Sequence, residues 1–292
     1  MIISEIIGGL GNQMFQYAAG RALSLERNES LHLDVSGFVG YGLHQGFELE
    51  RVFSCPTKIV NKMEICDILR WQSLAVIKRI LTRPNMIMLR RKEFVVEPHF
   101  HYWPEINQTP QNCYLAGYWQ SEKYFQVYAS KIRAEFTFKL AMTDINAKLA
   151  EQISNVNAVS LHVRRGDYVN NPKTTATHGV CSLDYYRTAI KLIAQRVQQP
   201  YFYIFSDDIA WVKDNLKIDF PHQIVDHNSG SESYNDMYLM SLCQHHIIAN
   251  SSFSWWGAWL NPSVDKIITA PKHWFTKEVN THDLIPQSWF RL

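Results

Sequence analysis

Residues 157–163, NAVSLHV, form an apolar run that ends at once in 164–167, RRGD. A short apolar run bounded by polar residues is typical of a strand buried on both faces of a parallel sheet. Similar runs follow it, separated by helical patterns. The predicted strands are 157–163, 201–205, 222–225, 246–249 and 265–270, and the predicted helices are 182–198, 209–216, 235–243 and 254–260. This alternation predicts a doubly wound parallel sheet flanked by helices.

The beginning of the chain has a shorter pattern of the same kind. It consists of a strand at 2–7, a turn at Gly8-Gly9-Leu10-Gly11, a helix at 12–27 and a strand at 31–35. Such a βαβ unit implies a second parallel sheet. Residues 41–150 carry no clear periodicity. We therefore expect an α/β protein with domains over 1–150 and 151–292, the last residues packing back on the first domain.

Composition and charge exclude several classes of protein. The 29 Lys and Arg residues nearly balance 27 Asp and Glu, so the net charge of +2 argues against a nucleic acid partner. An apolar content of 46% is typical of a globular protein. The five cysteines are scattered without a CxxC pair, which fits a reducing compartment and predicts no zinc site. No apolar run is long enough to span a membrane, and the N-terminus has no signal-peptide pattern.

Polar clusters follow the predicted strands of the second half. They are Arg164-Arg165-Gly166-Asp167, Ser206-Asp207-Asp208, Asp226-His227-Asn228 and Asn250-Ser251-Ser252-Phe253-Ser254. One cluster alone could consist of ordinary helix caps. Four clusters on one sheet edge indicate a polar ligand site, because ligands of parallel sheets bind at the carboxyl ends of the strands.

The chemistry of these clusters favours an anion. Arg164 could grip phosphate oxygens, the alternative being a surface ion pair. The helix that follows Asn250 offers free N–H groups to a second phosphate. Asp236 could accept the N1–H and N2–H of guanine or could cap its helix. Asp207 and Asp208 could bind Mg²⁺, but an arginine and a helix N-terminus already neutralise a diphosphate, so we expect no metal ion.

Three other patterns leave alternatives open. Gly8-Gly9-Leu10-Gly11, with Asp34 as a ribose partner, resembles a dinucleotide fingerprint, but Met14 stands where the third glycine belongs. Trp255, with Trp256 and Trp259 at helical spacing, could be core or a platform for a sugar. Residues 70–92 contain seven cations and no acid. Beside the cations, Trp71, Leu74, Ile77 and Leu81 could form the apolar stripe of an amphipathic helix. This pattern suits either a solvated face or contact with an anionic membrane.

Four segments together resemble the α-1,2-fucosyltransferases, and the bacterial members without a membrane anchor match best. They are 6–24 (IIGGLGNQMFQYAAGRALS), 160–169 (SLHVRRGDYV), 203–216 (YIFSDDIAWVKDNL) and 235–262 (NDMYLMSLCQHHIIANSSFSWWGAWLNP). The resemblance implies two Rossmann-like domains facing across a cleft, the GT-B arrangement. It also implies inverting, metal-independent transfer of L-fucose from GDP-β-L-fucose to the 2-hydroxyl of a terminal galactose. GDP-fucose is then a co-substrate, and no cofactor is expected.

The resemblance also assigns residues. Arg164 would contact the β-phosphate, His162 and Asp236 the guanine, Ser251-Ser252-Phe253 the diphosphate, and Asn12 the glycosidic oxygen. We add Ser206, Asp207, Asn250 and Ser254 to the donor site from their positions at strand ends, and His178 and Trp255 to the acceptor site. Asp167 is the first choice for the catalytic base, with His178 and Asp207 as alternatives.

Other functions remain open at this point. Another GDP-sugar transferase, a transferase of different linkage, or a binding protein without turnover would share the donor site. An NAD-dependent oxidoreductase would use the Gly8–Asp34 unit instead. The expected location is the cytoplasm, with 70–92 able to contact the inner face of the membrane, and the oligomeric state is not predicted.

Overall fold

The structure is a computed structural model that describes residues 1–40, 42, 45–166, 169 and 172–292, the side chains of 172–174 excepted. The chain divides into two compact units, one of 1–139 with 280–284 and one of 140–279 with 285–292. Within the described ranges, no helix combines the length and the apolar character needed to cross a membrane.

The second unit has a six-stranded sheet in the order β10-β9-β8-β5-β6-β7, parallel at each pairing. Its strands are β5 (Asn157–Val163), β6 (Pro200–Ser206), β7 (His222–Val225), β8 (His245–Ile247), β9 (Ile268–Ala270) and β10 (Phe290–Arg291). Its helices are α6 (Asp144–Ser154), α7 (Pro172–His178), α8 (Leu183–Ala194), α9 (Ile209–Asn215), α10 (Tyr234–Leu242) and α11 (Ser252–Leu260). The predicted doubly wound parallel sheet is confirmed.

Helices cover both faces of this sheet because the side chains of each strand alternate between two cores. On one face, Val159 and Leu161 of β5 pack against α8 at Tyr186 and Ile193. On the other face, the neighbours of Ala158 and Tyr203 include Leu149 and Ile153 of α6 and Leu239 and Met240 of α10. Burial on both faces explains the nearly continuous apolar runs of β5 and β6.

The first unit has a four-stranded parallel sheet in the order β2-β1-β4-β3. Its strands are β1 (Ile2–Glu5), β2 (Leu31–Asp34), β3 (Phe94–Val96) and β4 (Cys113–Ala116). Its helices are α1 (Leu10–Arg27), α2 (Leu49–Val52), α3 (Lys62–Leu69), α4 (Ala75–Leu81) and α5 (Ala129–Glu135). The βαβ unit read from the sequence is confirmed as β1-α1-β2, whereas β3 and β4 lie in the stretch where no element was predicted.

Two boundaries differ from the expectation. The division between the units falls before α6 rather than at 150/151, because Leu149 and Ile153 of that helix pack against the second sheet. Near the C-terminus, only Asn280–Leu284 belongs with the first unit. The last residues instead form β10, which pairs with β9 in the second sheet.

Candidate active site

The candidate site lies where the strand order of the second sheet reverses. The chain runs from β5 outward to β6 and β7, then returns to place β8 on the other side of β5. The loops that leave β5 and β8 therefore diverge, and such a switch point is where parallel sheets bind ligands. All four predicted polar clusters follow neighbouring strands of this edge, β8, β5, β6 and β7.

His162, near the carboxyl end of β5, presents an unused hydrogen-bonding atom at this place. The side chain is buried, and within the described part of the chain its Nδ1 has no hydrogen-bond partner. Burial lowers the pKa of His162 to about 3, so the ring is neutral. Its ring lies 6.0 Å from that of Phe253 on α11, across the switch point. Buried polar atoms are normally paired, so this nitrogen has hydrogen-bonding capacity that the described residues do not use. The predicted contact of His162 with guanine stays a prediction.

Arg164 follows β5 and forms an ion pair with Asp207, the residue after β6. The Nη1 to Oδ2 distance is 3.1 Å, and both side chains are about one quarter exposed. Asp207 Oδ1 also accepts the backbone N–H of Arg165 at 2.8 Å. Gly166 permits this approach, because a Cβ there would lie 2.9 Å from Asp207 Oδ2. Asp207 therefore orients the partly exposed guanidinium of Arg164 at the strand edge. The contacts of Arg164 and Asp207 with the nucleotide-sugar donor stay predictions.

Arg165 and Ser206 make contacts within the turn that follows β6, and the predicted donor contact of Ser206 stays a prediction. The guanidinium of Arg165 stacks on the Trp211 ring at 4.0 Å and lies 3.4 Å from an oxygen of Asp208. Ser206 Oγ accepts the backbone N–H of Asp208 at 3.0 Å. Asp208 in turn caps α9 through the N–H of Trp211. Both residues stabilise the turn between β6 and α9 and thereby the position of Asp207.

The N-terminus of α11 is the second anion-binding element predicted from the sequence. Ser251 is its N-cap, and its hydroxyl accepts the N–H of Phe253 at 3.3 Å. Ser252 and Phe253 are partly exposed in the first turn. The free N–H groups and the dipole of a helix N-terminus favour a phosphate at this position. Ser251 is 7% exposed, so its side chain serves as the cap, and the contact of Ser251, Ser252 and Phe253 with a diphosphate stays a prediction.

Three residues assigned to substrate contact are instead buried. Asn250 is 1% exposed, and its amide donates to the carbonyl oxygens of His178 and Trp274. Ser254, also 1% exposed, donates to the carbonyl of Ser251. Trp255 is fully buried against other tryptophans, Trp256, Trp259 and Trp289. We therefore correct these assignments: the side chains stabilise the loop and core that hold α11.

Asp236 lies in the first turn of α10, and its carboxylate bonds outside that helix. Its Oδ1 accepts from the Asn228 amide at 2.8 Å, and the Asn228 amide also bonds to Asn146. Burial raises the pKa of Asp236 to about 7. The carboxylate of Asp236 therefore bonds to Asn228, and its predicted contact with guanine stays a prediction. Its helix packs tightly on α11, since a Cβ on Gly257 would lie 2.9 Å from that of Met240.

In the first unit, Asn12 occupies the corresponding switch point, between β1 and β4. The Asn12 Oδ1 accepts from the Gln120 amide at 2.7 Å. Gly8, at φ +78°, leaves room for Asn12, because a Cβ on this glycine would lie 2.9 Å from Asn12 Nδ2. The side chain of Asn12 is therefore held in one orientation at the carboxyl edge of the first sheet.

A residue that sequence reasoning missed, Glu97, fixes the turn that carries Gln120. Its carboxylate oxygens accept the N–H groups of Tyr118 and Trp119 at 2.7 and 3.0 Å. Burial nevertheless raises the pKa of Glu97 to about 7. Glu97 also lines a cavity of about 540 Å³ at this sheet edge, together with Lys78 and Tyr118. No motif marks Glu97, because β3, which precedes it, was not predicted.

The dinucleotide interpretation loses its ribose partner in the structure. Asp34 is 2% exposed and accepts hydrogen bonds from Lys78 and Tyr114 at 2.8 and 2.6 Å. Its other oxygen accepts the backbone N–H of Ser36. Met14, in the place of the third glycine, is fully buried. Asp34 therefore belongs to an internal ion pair rather than to a cofactor site.

The remaining predicted residues concern the base and the metal. Asp167 lies outside the described residues. His178 ends α7, with its ring 5.3 Å from that of Phe275. In the part of the chain that the structure describes, no three His, Cys, Asp or Glu side chains converge as metal ligands would. Metal independence stays a prediction.

The fold of this chain is similar to that of a solved structure. The chain matches NodZ of Bradyrhizobium, an α-1,6-fucosyltransferase soaked with GDP-fucose, with a TM-score of 0.55 and 17% identity over 89% of this chain and 92% of that one. This likeness shows the fold, so the predicted GT-B-like class with two Rossmann-like domains is confirmed.

Comparisons with known sequences give the family. An α-1,2-colitosyltransferase of Escherichia coli is 39% identical over 100% of this chain and 99% of its own length. A galactoside 2-α-L-fucosyltransferase of Bos taurus, SEC1, is 29% identical over 50% of this chain and 41% of that protein. The model of glycosyl transferase family 11 matches residues 91–292, which include the whole of the second sheet. The chain therefore belongs to glycosyl transferase family 11.

Proposed function

We propose that the protein transfers L-fucose from GDP-β-L-fucose to the 2-hydroxyl of a terminal galactose in a glycan, with inversion and without a metal ion or cofactor. The observation that carries the proposal is the second switch point. There His162 and Arg164, at the carboxyl end of β5, lie beside the neighbouring strand β8, which the N-terminus of α11 follows. A neutral ring suits an uncharged base, and two cationic elements suit a diphosphate.

The proposed reaction is a single displacement at the anomeric carbon. The galactose 2-oxygen forms the new bond while the bond to the β-phosphate oxygen breaks, and GDP leaves from the opposite face. Negative charge grows on the leaving diphosphate, so Arg164 and the N–H groups at Ser252 stabilise the transition state more than the ground state. The proposal includes Asn12 as the residue that contacts the glycosidic oxygen.

The proton of the attacking hydroxyl requires an acceptor or must leave after the bond forms. Asp167 remains the proposed base because it follows Arg164 in the same loop. Of the two alternatives, Asp207 is engaged by Arg164 and by the N–H of Arg165, which weakens it as a base. His178 remains an alternative. The base must be deprotonated to act, so it causes the fall of kcat at low pH. A pH profile of kcat for Asp167→Asn, compared with that for His178→Gln, would identify the variant that loses this low-pH limb.

Colitose is the second candidate sugar, because a relative that matches over 99% of its own length is an α-1,2-colitosyltransferase. Colitose is fucose without its 3-hydroxyl, so the guanine and diphosphate contacts would be the same for both donors. Discrimination would depend on one group that hydrogen-bonds the 3-hydroxyl. The α-1,2 linkage is common to both candidates and is supported by the names of both curated relatives.

The deciding experiment is a titration calorimetry panel in EDTA with GDP-fucose, GDP-colitose, GDP-mannose, UDP-galactose and NAD⁺. We expect the guanosine donors to bind and the other two to be silent. Turnover with lactose and linkage analysis of the product then follow for each bound donor. Binding without turnover on any β-galactoside would favour a nucleotide-sugar-binding protein. Binding that appears only with Mg²⁺ or Mn²⁺ would contradict the metal-free mechanism.

Donor affinity is expected to depend on the ionisation of Asp236. Guanine N–H groups donate only to the carboxylate, so binding should be strongest above the pKa of Asp236, about 7, and weaken as the pH falls below it. Between pH 8 and pH 6 the Kd for GDP-fucose should rise about tenfold. The intact donor is used because the terminal phosphate of GDP titrates in this range. Asp236→Asn should bind more weakly with no slope, and a flat wild-type profile would contradict the guanine assignment.

We propose the cytoplasm as the place of action. All five cysteines are described and none forms a disulfide, as expected in a reducing compartment. GDP-sugars as substrates are consistent with this location.

A further inference from the structure

Residues 70–92, which we call the basic apolar patch, form consecutive short helical elements of the first unit. The segment consists of a 3₁₀ turn at Arg70–Ser73, the helix α4 and a second 3₁₀ helix at Pro84–Leu89. The long amphipathic helix suggested by the sequence is therefore replaced by three short helical turns. Of the predicted apolar stripe, Ile77 and Leu81 pack against the core, whereas Trp71 and Leu74 are exposed.

The patch exposes an unusual amount of apolar surface. Met88 is 90% exposed and Val76 72%. The large apolar side chains that the patch leaves exposed are Trp71, Leu74, Val76, Ile80, Ile87, Met88 and Leu89. Single exposed apolar residues are common on proteins, but a concentration of this kind in one segment marks a surface that binds something.

Four cations of the patch are exposed beside these apolar groups. Arg70, Arg79, Arg83 and Lys92 have no hydrogen-bond or ion-pair partner in the described parts of the chain. The other three cations serve the structure: Lys78 bonds to Asp34, Arg90 to main-chain carbonyls and Arg91 to Glu93. The patch contains no Asp or Glu. Its charge is therefore uncompensated where its apolar side chains are exposed.

Internal bonds hold the patch in this form. The Gln72 amide donates to the carbonyl of Leu89 at 2.7 Å, and its oxygen accepts the N–H of Arg91 at 3.1 Å. Arg90 donates to the carbonyls of Leu81 and Arg83. The turns are thus tied to each other at both ends. The apolar side chains point outward from a bonded scaffold, and their exposure does not come from a loose segment.

We propose that the basic apolar patch docks the protein on an anionic lipid bilayer. Exposed Trp, Leu, Ile and Met side chains enter the interfacial region, where a tryptophan ring is favoured, and the four free cations contact the anionic headgroups. Each cation near such a surface adds a salt-sensitive attraction. Charge complementarity selects this occupant over a second copy of the chain, because a symmetric dimer through the patch would oppose like charges.

The test is co-sedimentation with sugar-free vesicles, so it is independent of the donor and acceptor assignments. We expect wild-type protein to bind vesicles of phosphatidylcholine with phosphatidylglycerol at low salt, and to bind pure phosphatidylcholine vesicles far less. Raising the salt should weaken binding. The triple variant Arg70→Gln, Arg79→Gln, Arg83→Gln should partition about 100-fold more weakly, at about fivefold for each cation. A second variant, Trp71→Ser, Leu74→Ser, Met88→Ser, should also lose binding.

Matched controls separate the patch from general charge and surface effects. Lys148→Gln, Lys191→Gln, Lys217→Gln removes three exposed cations of the second unit, and Val127→Ser, Val264→Ser removes exposed apolar groups elsewhere. Both controls should bind as wild type does. Circular dichroism checks that each variant is folded. Absence of wild-type protein from the anionic pellet at low salt would overturn the proposal, as would equal binding by patch and control variants. A patch-dependent dimer in light scattering without vesicle binding would assign the surface to self-association instead.

Discussion

Arg164→Ala is expected to lower kcat by about 10²–10³-fold, the range measured when one donor to a developing oxyanion is removed. The guanidinium lies at the carboxyl end of β5, where Asp207 holds it 3.1 Å away and leaves it partly exposed. Its loss removes charge stabilisation from the leaving diphosphate, so kcat should fall more than the affinity for GDP-fucose changes. Release of GDP, followed against donor and acceptor concentration, measures both.

Two further variants make this result specific. Arg164→Lys keeps the charge but loses the planar pair of donors, so its kcat should lie between those of wild type and alanine. Arg187→Ala removes an exposed arginine of α8, whose Asp184 partner is also exposed, and should leave kcat unchanged. Near wild-type turnover of Arg164→Ala would contradict the phosphate role. An equal loss in Asp207→Asn would show that orientation of Arg164 matters as much as its charge.

Trp255→Ala is expected to lower the free energy of unfolding by about 3–5 kcal/mol, the usual cost of removing a fully buried aromatic side chain. Trp255 is wholly inaccessible, and its ring contacts those of Trp256, Trp259 and Trp289. Urea denaturation followed by circular dichroism measures the loss. At a temperature where the variant stays folded, its KM for the acceptor should be close to that of wild type.

The opposite pattern would restore the sequence-based idea of a sugar platform. In that case Trp255→Ala would keep its stability, and its KM for the acceptor would rise. Trp71→Ala is the control, since Trp71 is 58% exposed and its replacement should change the unfolding free energy by no more than about 0.5 kcal/mol.

The second sheet and the place of its site could be predicted because each strand ends where its apolar run gives way to polar residues. The inference of Arg164 and the N-terminus of α11 depends only on that pattern, since the carboxyl ends of parallel strands share one edge. His162 was inferred from the family resemblance instead. The roles of Asn250 and Trp255 could not be predicted. An amide at a strand end looks the same in sequence whether it meets a phosphate or, as for Asn250, backbone carbonyls.

The fold of the first unit was harder to predict because its strands are short and because residues that contact each other there are distant in sequence. β3 has three residues and β4 has four, so neither gives a periodic signal. Glu97 and Gln120 acquire their contacts only when β4 pairs with β1 and β3. Asp34 illustrates the same limit: its spacing fits a ribose partner, but Lys78 and Tyr114 reach it from elements that no local pattern connects to β2.

The tight packing of α10 on α11 limits how far apart the groups carried by the two helices can lie. A Cβ on Gly257 would lie 2.9 Å from that of Met240, so the distance between the two helices is fixed by the absence of a side chain. One helix carries the proposed base-reading carboxylate, Asp236, and the other the phosphate-binding turn at Ser252. The distance between the proposed nucleobase and diphosphate contacts then depends on the packing of Gly257 against Met240, which includes neither Asp236 nor Ser252. A bulkier residue at Gly257 would lengthen this span and shift nucleotide preference without altering any group in the donor site.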